Sequence, residues 1–432
     1  MKYRLSDLPA LLATPAGWLQ VLEGVNFRLW PLSSRIARLH RRTLASGARV
    51  VAVVGSSGKS TTMRAVSAAL GAPPFAVMTH NAWSYVARAV LRIRRGQRHA
   101  VIEVGIAGRN QMRDYASVVR PDVTVVTSIG SEHHRSLVSL DVTRDEKAWM
   151  VRALPAHGVA VLNGDDPNVM WMASETAARV VTFGFGDACD VRASDACIDW
   201  PDGTRFRVGA FGDERDARVR LVGRHMVYAA LAAIAVARVE GVALDDAIAR
   251  VAALAPTPGR MQPVALAGGA TILRDEYKGS IETIDAALEA LSEIDARRRI
   301  VVLGDISEPP GQQHRAYRRI GERVAGVATH FLVVGSMHEP YFAGARHGGM
   351  PTANAVRAGR TPREAARALS ALIEPGDVVL VKGRDTQRLE RITLILQGRT
   401  VGCDIRTCEM RIVNCEGCPM LERGWGDRRV AM

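Results

Sequence analysis

A turn built to hold phosphate constrains this chain more than any other feature in it. Residues Val50 to Thr62 read VVAVVGSSGKSTT: an apolar run suited to a buried parallel strand, a tight loop with Gly55 and Gly58, then the opening of a helix. Glycines let backbone N–H groups come close to phosphate oxygens at a helix N-terminus, where the dipole also favours negative charge. Lys59 then supplies a point charge to the β and γ phosphates, and Ser60 offers a hydroxyl to Mg²⁺. Gly55, Ser56, Ser57, Gly58, Lys59, Ser60 and Thr61 are therefore the expected nucleotide cradle. The usual pattern places a glycine five residues before Gly58, where this chain has Val53.

Around that loop, apolar runs alternate with helical patterns. Strands are expected at Val50 to Val54, Ala100 to Val104, Val123 to Thr127, Val159 to Leu162 and Val180 to Phe183, an alternation that builds a mostly parallel sheet with helices on both faces. Between Asp190 and Leu221 the pattern becomes short alternating segments broken at Asp202-Gly203 and Gly212-Asp213, which predicts a small antiparallel excursion. An Ala-rich helix follows from Arg224 to Glu240, and Pro256-Thr257-Pro258-Gly259 marks a boundary. A second α/β set is expected beyond it, with strands at Thr271 to Leu273, Ile300 to Leu303, Phe331 to Val334 and Val378 to Val381, and helices from about Ile281 and near Tyr317. The expected fold class is α/β: a central domain at 49–255 with the phosphate loop on a mostly parallel sheet, and a second Rossmann-like α/β domain at 256–397. A helical segment at 1–48 precedes them and a cysteine-rich tail at 398–432 follows.

Composition narrows the partners. The 432 residues carry 57 Lys and Arg against 44 Asp and Glu, a formal charge of +13 that favours nucleotides, sugar phosphates or acidic lipid. With 5% aromatic residues and no basic stripe interleaved with aromatics, no nucleic-acid partner is expected. No apolar run is long enough to span a bilayer and no signal-peptide pattern opens the chain, so the expected compartment is the cytoplasm. The N-terminal segment is less plain. Trp18, Leu19, Val21, Leu22, Val25, Phe27, Leu29 and Trp30 lead into Arg35, Arg38, Arg41 and Arg42, a composition that suits peripheral contact with an anionic membrane or docking on the chain's own domain.

Several spaced motifs, in order, resemble those of the Mur ligase family, the ATP-dependent amide ligases of peptidoglycan assembly. The branch that adds a D-alanyl-D-alanine dipeptide is the nearest in pattern. The resemblance covers roughly residues 49 to 397. It takes in GSSGKSTT, whose Gly55 stands at that family's first loop glycine; Glu103 in VIEVG; SIGSEHH with His133; DEKAWM with Lys147; NGDDP with Asn163; and PTPGRMQ with Arg260. It implies Mg²⁺ held by Ser60, Glu103 and His133, and a second Mg²⁺ served by Lys147 after it reacts with CO₂ to give a carbamate. It implies an adenine contact from Asn163 and an arginine, Arg260, that reaches the γ-phosphate. Lys59, Glu103, His133, Lys147 and Arg260 are thus the expected catalytic set. Read without the resemblance, Lys147 is an ordinary surface lysine on a helix.

The substrate side departs from the family. ILRDEYKGS keeps Asp275 and Tyr277 but places Lys278 at an asparagine position, while VVLGDISEPP and DVVLVKGRD bring Asp305 and Lys382, with Arg384 at a serine position. In the nucleotide helix, Met226 and Ala229 replace asparagines. Only about 48 residues precede the loop strand, where relatives carry a domain that grips a UDP-sugar, so a different carboxylate or amine substrate is expected. The expected activity is ATP-dependent amide formation through an acyl phosphate, in cell-wall or related peptide ligation; the rival is a nucleotide-binding scaffold whose chemistry is lost.

Finally, Cys403, Cys408, Cys415 and Cys418 form a C-x4-C-x6-C-x2-C array within sixteen residues, which predicts a tetrahedral Zn²⁺ site, with unligated thiols as the alternative.

Overall fold

The computed structural model describes residues 8–73, 81–131, 134–410 and 413–425. The chain divides into two compact units, one Asn26–Ala255 and the other Pro256–Met432 with Met1–Val25.

The first unit is an eight-stranded sheet. Its strands are β1 (Arg49–Val54), β2 (His99–Glu103), β3 (Val123–Val126), β4 (Val159–Asn163), β5 (Arg179–Gly184), β6 (Val191–Asp199), β7 (Gly203–Ala210) and β8 (Asp213–Val219), in the order β2-β1-β3-β4-β5-β6-β7-β8. Pairing is parallel from β2 through β6 and antiparallel from β6 to β8. Val50 to Val54 are fully buried, as a continuous apolar run must be when both sheet faces are covered. The expected antiparallel excursion is present, and it extends the main sheet. Its β7–β8 turn passes through Phe211 and Gly212, both at positive φ, the hairpin geometry that glycine favours. The chain leaves β1 for β2 on one side and returns to β3 on the other. That reversal opens a crevice at the strand C-termini, where ligands collect in such sheets.

The helix Trp30–Arg42 packs on this unit through Trp30, Ser34, Ala37 and Arg41, one face at helical spacing. Among the described residues no helix is long and apolar enough to cross a membrane.

The second unit holds a six-stranded sheet built from β9 (Gln262–Ala265), β10 (Thr271–Asp275), β11 (Arg298–Leu303), β12 (His330–Val333), β13 (Ala355–Arg357) and β14 (Asp377–Lys382), in the order β13-β12-β11-β14-β10-β9. All pairs are parallel except the β10–β9 edge. Its core gathers Ile272, Ile300, Val302, Leu332, Val379 and Val381 with Leu389 and Ile392. In the same unit Ala16, from the helix Pro15–Arg28, packs with Cys403, Met410, Met420 and Trp425 of the tail.

Candidate functional site

The phosphate loop sits at the C-terminal end of β1. Gly55 has φ +145°, and a Cβ there would lie 2.0 Å from the Thr127 hydroxyl, so only glycine fits. Thr127 Oγ1 donates to the Ser57 carbonyl at 2.6 Å, and Ser57 N–H donates to Ser128 Oγ at 3.1 Å, which fastens the loop to the end of β3. Gly58, at φ +78°, then opens the helix Lys59–Leu70. Lys59 is buried, and its ammonium donates to the carbonyls of Gly55 and Ser56 at 2.8 and 3.0 Å. The cation thus lies over its own loop, poised for an anion at the helix N-terminus.

Lys147 is not the surface lysine that its helix alone suggests. The helix Leu140–Arg152 presents it inward, 2% exposed, with Nζ donating to Ser56 Oγ at 3.0 Å. Ser56 Oγ in turn accepts from Gly130 N–H at 2.9 Å. Glu103 ends β2, half-buried, and accepts a hydrogen bond from Asn81 Nδ2 at 2.6 Å. Ser60 is likewise half-buried in the first turn of its helix. A carboxylate and a hydroxyl are hard oxygen donors, which fits Mg²⁺. His133 lies outside the described residues.

A relay of hydrogen bonds leads from this loop to Asp165, Phe185 and Tyr228, residues that the sequence motifs did not single out, beside Arg224, which stands in register with the family's nucleotide helix. Asn163 Nδ2 donates to the Thr127 carbonyl at 2.8 Å, and Asn163 Oδ1 accepts from Asp165 N–H at 3.1 Å. Asp165 then accepts from Tyr228 OH at 2.7 Å and from the N–H groups of Phe185 and Gly186 at 2.6 and 2.9 Å. Phe185 meets Tyr228 edge-on, ring centroids 5.1 Å apart, and the Arg224 guanidinium lies 4.0 Å from the Phe185 ring. Arg224 and Tyr228 are one turn apart on the helix Arg224–Val239, so they share a face. Met226 and Ala229 are buried on that helix. The available signal was Asp165 and Asp166 directly after a strand, together with an Arg and a Tyr at i, i+4.

In the other unit, Gly259 at φ +63° lets the chain pass Tyr277, whose ring carbon would lie 2.0 Å from a Cβ at that position. Arg260 follows, half-buried, its guanidinium 5.9 Å from the Tyr277 ring centre. Asp275 and Lys382, at the ends of β10 and β14, form a buried ion pair, and Met261 N–H also donates to Asp275 at 3.3 Å. Burial lowers the Lys382 pKa, opposed by Asp275 and assisted by Arg260. Next to this pair Arg274 makes two bonds to Glu276, at 2.9 and 2.7 Å. Burial lifts the Asp305 carboxyl, while exposed Arg384 pulls it down. Lys278 is half-buried. Asp275 and Lys382 are thus engaged with each other, and Asp305, Arg384 and Lys278 are the more accessible polar groups.

The zinc expectation finds no support in the arrangement of the tail. Among the described residues no group of three or more His, Cys, Asp or Glu is arranged to hold a metal, and none of the four tail cysteines is in a disulfide. The tail is fastened by other means. Arg391, buried on the helix Glu390–Leu396, donates to the Cys403 carbonyl and sulfur at 3.0 and 3.3 Å and to the Ile405 carbonyl at 2.7 Å. Its neighbour Glu390 accepts the Cys415 N–H. Cys403, Cys408 and Cys418 pack in one apolar cluster and Cys415 in another, with Leu394 and Leu421. Burial raises the Cys415 and Cys418 thiols.

Comparison with known proteins agrees with this geometry. A family model described as the Mur ligase middle domain matches residues 53–237, and one described as the Mur ligase glutamate ligase domain matches residues 259–384. The UDP-N-acetylmuramoyl-tripeptide–D-alanyl-D-alanine ligase of Mycobacterium tuberculosis is 31% identical over 422 residues, covering 88% of this chain and 81% of that protein. Among solved structures, MurF from Acinetobacter baumannii gives a TM-score of 0.76 at 23% identity, over 86% of this chain and 81% of that one. MurF from Thermotoga maritima in complex with ADP gives 0.73 at 22% identity, over 85% and 83%. These two likenesses concern the fold.

Proposed function

The chain belongs to the Mur ligase family, and from that premise we propose that it is an ATP-dependent ligase joining a carboxylate to an amine in peptidoglycan precursor synthesis. The observation that carries this reading is Lys147. A lysine with no surface role, buried and bonded to the phosphate loop, is the group a carbamate-forming ligase requires at that place. The relatives are ligases along both matched regions, which supports turnover over a silent scaffold.

In this reading the loop from Gly55 to Thr61 holds the triphosphate with its backbone N–H groups, and Lys59 turns from its own carbonyls to the β and γ phosphates. A substrate carboxylate oxygen attacks the γ-phosphorus, the bond to ADP breaks, and ADP leaves. The amine nitrogen then attacks the acyl carbon, phosphate departs with the C–O electron pair, and the nitrogen loses a proton. Mg²⁺ would supply charge neutralisation on the transferring phosphoryl group, held by Ser60, Glu103 and His133, with carbamylated Lys147 serving a second ion. Arg260 is the cation assigned to the γ-phosphate. Asn163, with the Asp165–Tyr228 pair beyond it, is assigned to the base end of the nucleotide. On the substrate side, Asp305, Lys278 and Arg384 are assigned to the incoming groups, with Asp275, Lys382 and Tyr277 positioning the strand ends beneath them.

The relatives' name supplies the first substrates to try: a UDP-N-acetylmuramoyl tripeptide and D-alanyl-D-alanine. Phosphate release should depend on both an acid and an amine, with an amide product by mass spectrometry, and Lys59→Ala should abolish it. Tight nucleotide binding with no condensation across a panel of muramoyl peptides and amines would reject the ligase reading.

A further inference from the structure

Within the unit Asn26–Ala255, the helix Trp30–Arg42 has one face that is satisfied and one that is not. On the satisfied face, Trp30 meets Trp83 and Tyr115 edge-on at 5.8 and 5.4 Å. Arg41 on the same face donates to the carbonyls of Val119, Ala45 and Arg120 and pairs with Asp122 at 2.9 Å. The opposite face carries Leu32, Ile36 and Leu39 at i, i+4, i+7, exposed by 57, 49 and 63%. Phe27 and Leu29 precede this stripe and Leu44 follows it, all exposed. Six of the nine exposed large apolar side chains described in this unit therefore lie within eighteen residues. Scattered apolar residues need no explanation, but a stripe of this kind marks a contact surface.

The charge around the stripe indicates what it meets. From Gly24 to Ile102 the sequence holds thirteen Arg and Lys and no Asp or Glu, in a chain with 44 acids. Arg35 and Arg42 are exposed on the helix itself. His40 Nε2 bonds the Ile93 carbonyl at 2.9 Å, which fixes the turn bearing exposed Arg94, Arg95 and Arg98 beside the last turn of the helix. The packed helices Ser84–Leu91 and Gln111–Val119 bring a single acid, Asp114, adjacent to Arg113. A border of one sign around an apolar strip matches a sheet of phosphates over acyl chains.

We propose that this face is a peripheral docking surface for an anionic phospholipid bilayer, with the helix lying in the interface and the arginines against the headgroups. Apolar burial and arginine attraction each contribute, and exposed charges are screened over roughly 10 Å at 0.1 M salt, so attachment should weaken as salt rises. The proposal does not depend on the ligase chemistry.

The test is co-sedimentation of the full chain with vesicles of phosphatidylglycerol and phosphatidylcholine in equal parts, compared with phosphatidylcholine alone. Binding to the anionic vesicles should fall by roughly tenfold or more in Arg35→Glu/Arg42→Glu and in Ile36→Glu/Leu39→Glu, with ADP binding retained. High salt should release the unmodified protein, a readout that needs no variant. Absence of binding to anionic vesicles at low salt, equal binding to neutral ones, or a dimer in solution that the Ile36→Glu/Leu39→Glu change disperses without any vesicle binding would each overturn it.

Discussion

Lys147 Nζ donates to Ser56 Oγ at 3.0 Å, joining the middle of the helix Leu140–Arg152 to the phosphate loop 91 residues earlier in the chain. Ser56 Oγ also accepts the Gly130 N–H at 2.9 Å and donates to the Gly130 carbonyl at 3.3 Å, so the hydroxyl that holds the ammonium is itself fixed in place. A carbamate on Lys147 would reverse the charge next to the loop. Lys147→Ala should therefore reduce kcat by about 10²–10³, with little change in ADP affinity, and acetate or formate should restore part of the rate. Bicarbonate dependence of the unmodified enzyme gives an independent readout. Unchanged kcat in Lys147→Ala would remove the carbamate from the mechanism.

The relay from Asn163 through Asp165 to Tyr228 predicts a weaker, positional effect. Tyr228→Phe keeps the ring against Phe185 and removes only the bond to the carboxylate, 2.7 Å long. Because the acceptor is charged, about 1.5–3 kcal/mol is at stake before solvent screening, which reduces it at this half-exposed site. The Kd for ADP should rise roughly three- to tenfold while kcat at saturating ATP stays within about twofold. A change in kcat with Kd unaltered would place Tyr228 elsewhere in the reaction.

Much of this architecture is legible in the residues because parallel strands buried on both faces leave continuous apolar runs such as Val50 to Val54 and Ile300 to Leu303. β9 and β13 left no such trace. Gln262–Ala265 and Ala355–Arg357 are short edge strands with half-buried or exposed side chains, and neither alternation nor an apolar run is sustained over so few residues. The phosphate loop announced itself because its chemistry is local in sequence. Asp165, Phe185 and Tyr228 did not, since β4, β5 and the helix after β8 bring them together only through the sheet. Lys147 needed the family pattern, because a single lysine on a helix carries no information about which face is buried. The cysteine array is only half legible for a related reason: spacing shows that four thiols can meet, while Arg391 and Glu390, which bond the tail, lie before the array begins.

A pH dependence follows from Glu276. Burial lifts its carboxyl from 4.5 to about 7, against the pull of Arg274, and one of its oxygens is buried with no hydrogen-bond partner. Between pH 4.5 and 7 the folded protein therefore keeps a proton that the unfolded chain has released. This group's contribution to stability is fully present below 4.5 and is lost as the pH rises to about 7. In Glu276→Gln the uncharged amide cannot titrate. The denaturation midpoint of the unmodified protein should fall relative to the variant across that interval, measured by chemical unfolding at a series of pH values. A difference that does not vary with pH would mean that Arg274 holds Glu276 ionised throughout.

The cysteine tail gives the sharpest stability contrast. Arg391 is 1% exposed, and its guanidinium serves the carbonyls of Gln387, Cys403 and Ile405 together with the Cys403 sulfur. Methionine at this position would fill similar space but leave those buried acceptors without donors, at about 1–3 kcal/mol for each that water cannot reach. Arg391→Met should therefore destabilise the protein by about 3–5 kcal/mol and expose 398–425 to proteolysis. Cys408→Ser/Cys418→Ser, which leaves Arg391 and its bonds in place, should cost about 1–2 kcal/mol from the apolar cluster. Chelator should change neither midpoint. If chelator lowers the melting temperature of the unmodified protein, or if the double cysteine change exceeds Arg391→Met, then a metal holds the tail and the guanidinium is secondary.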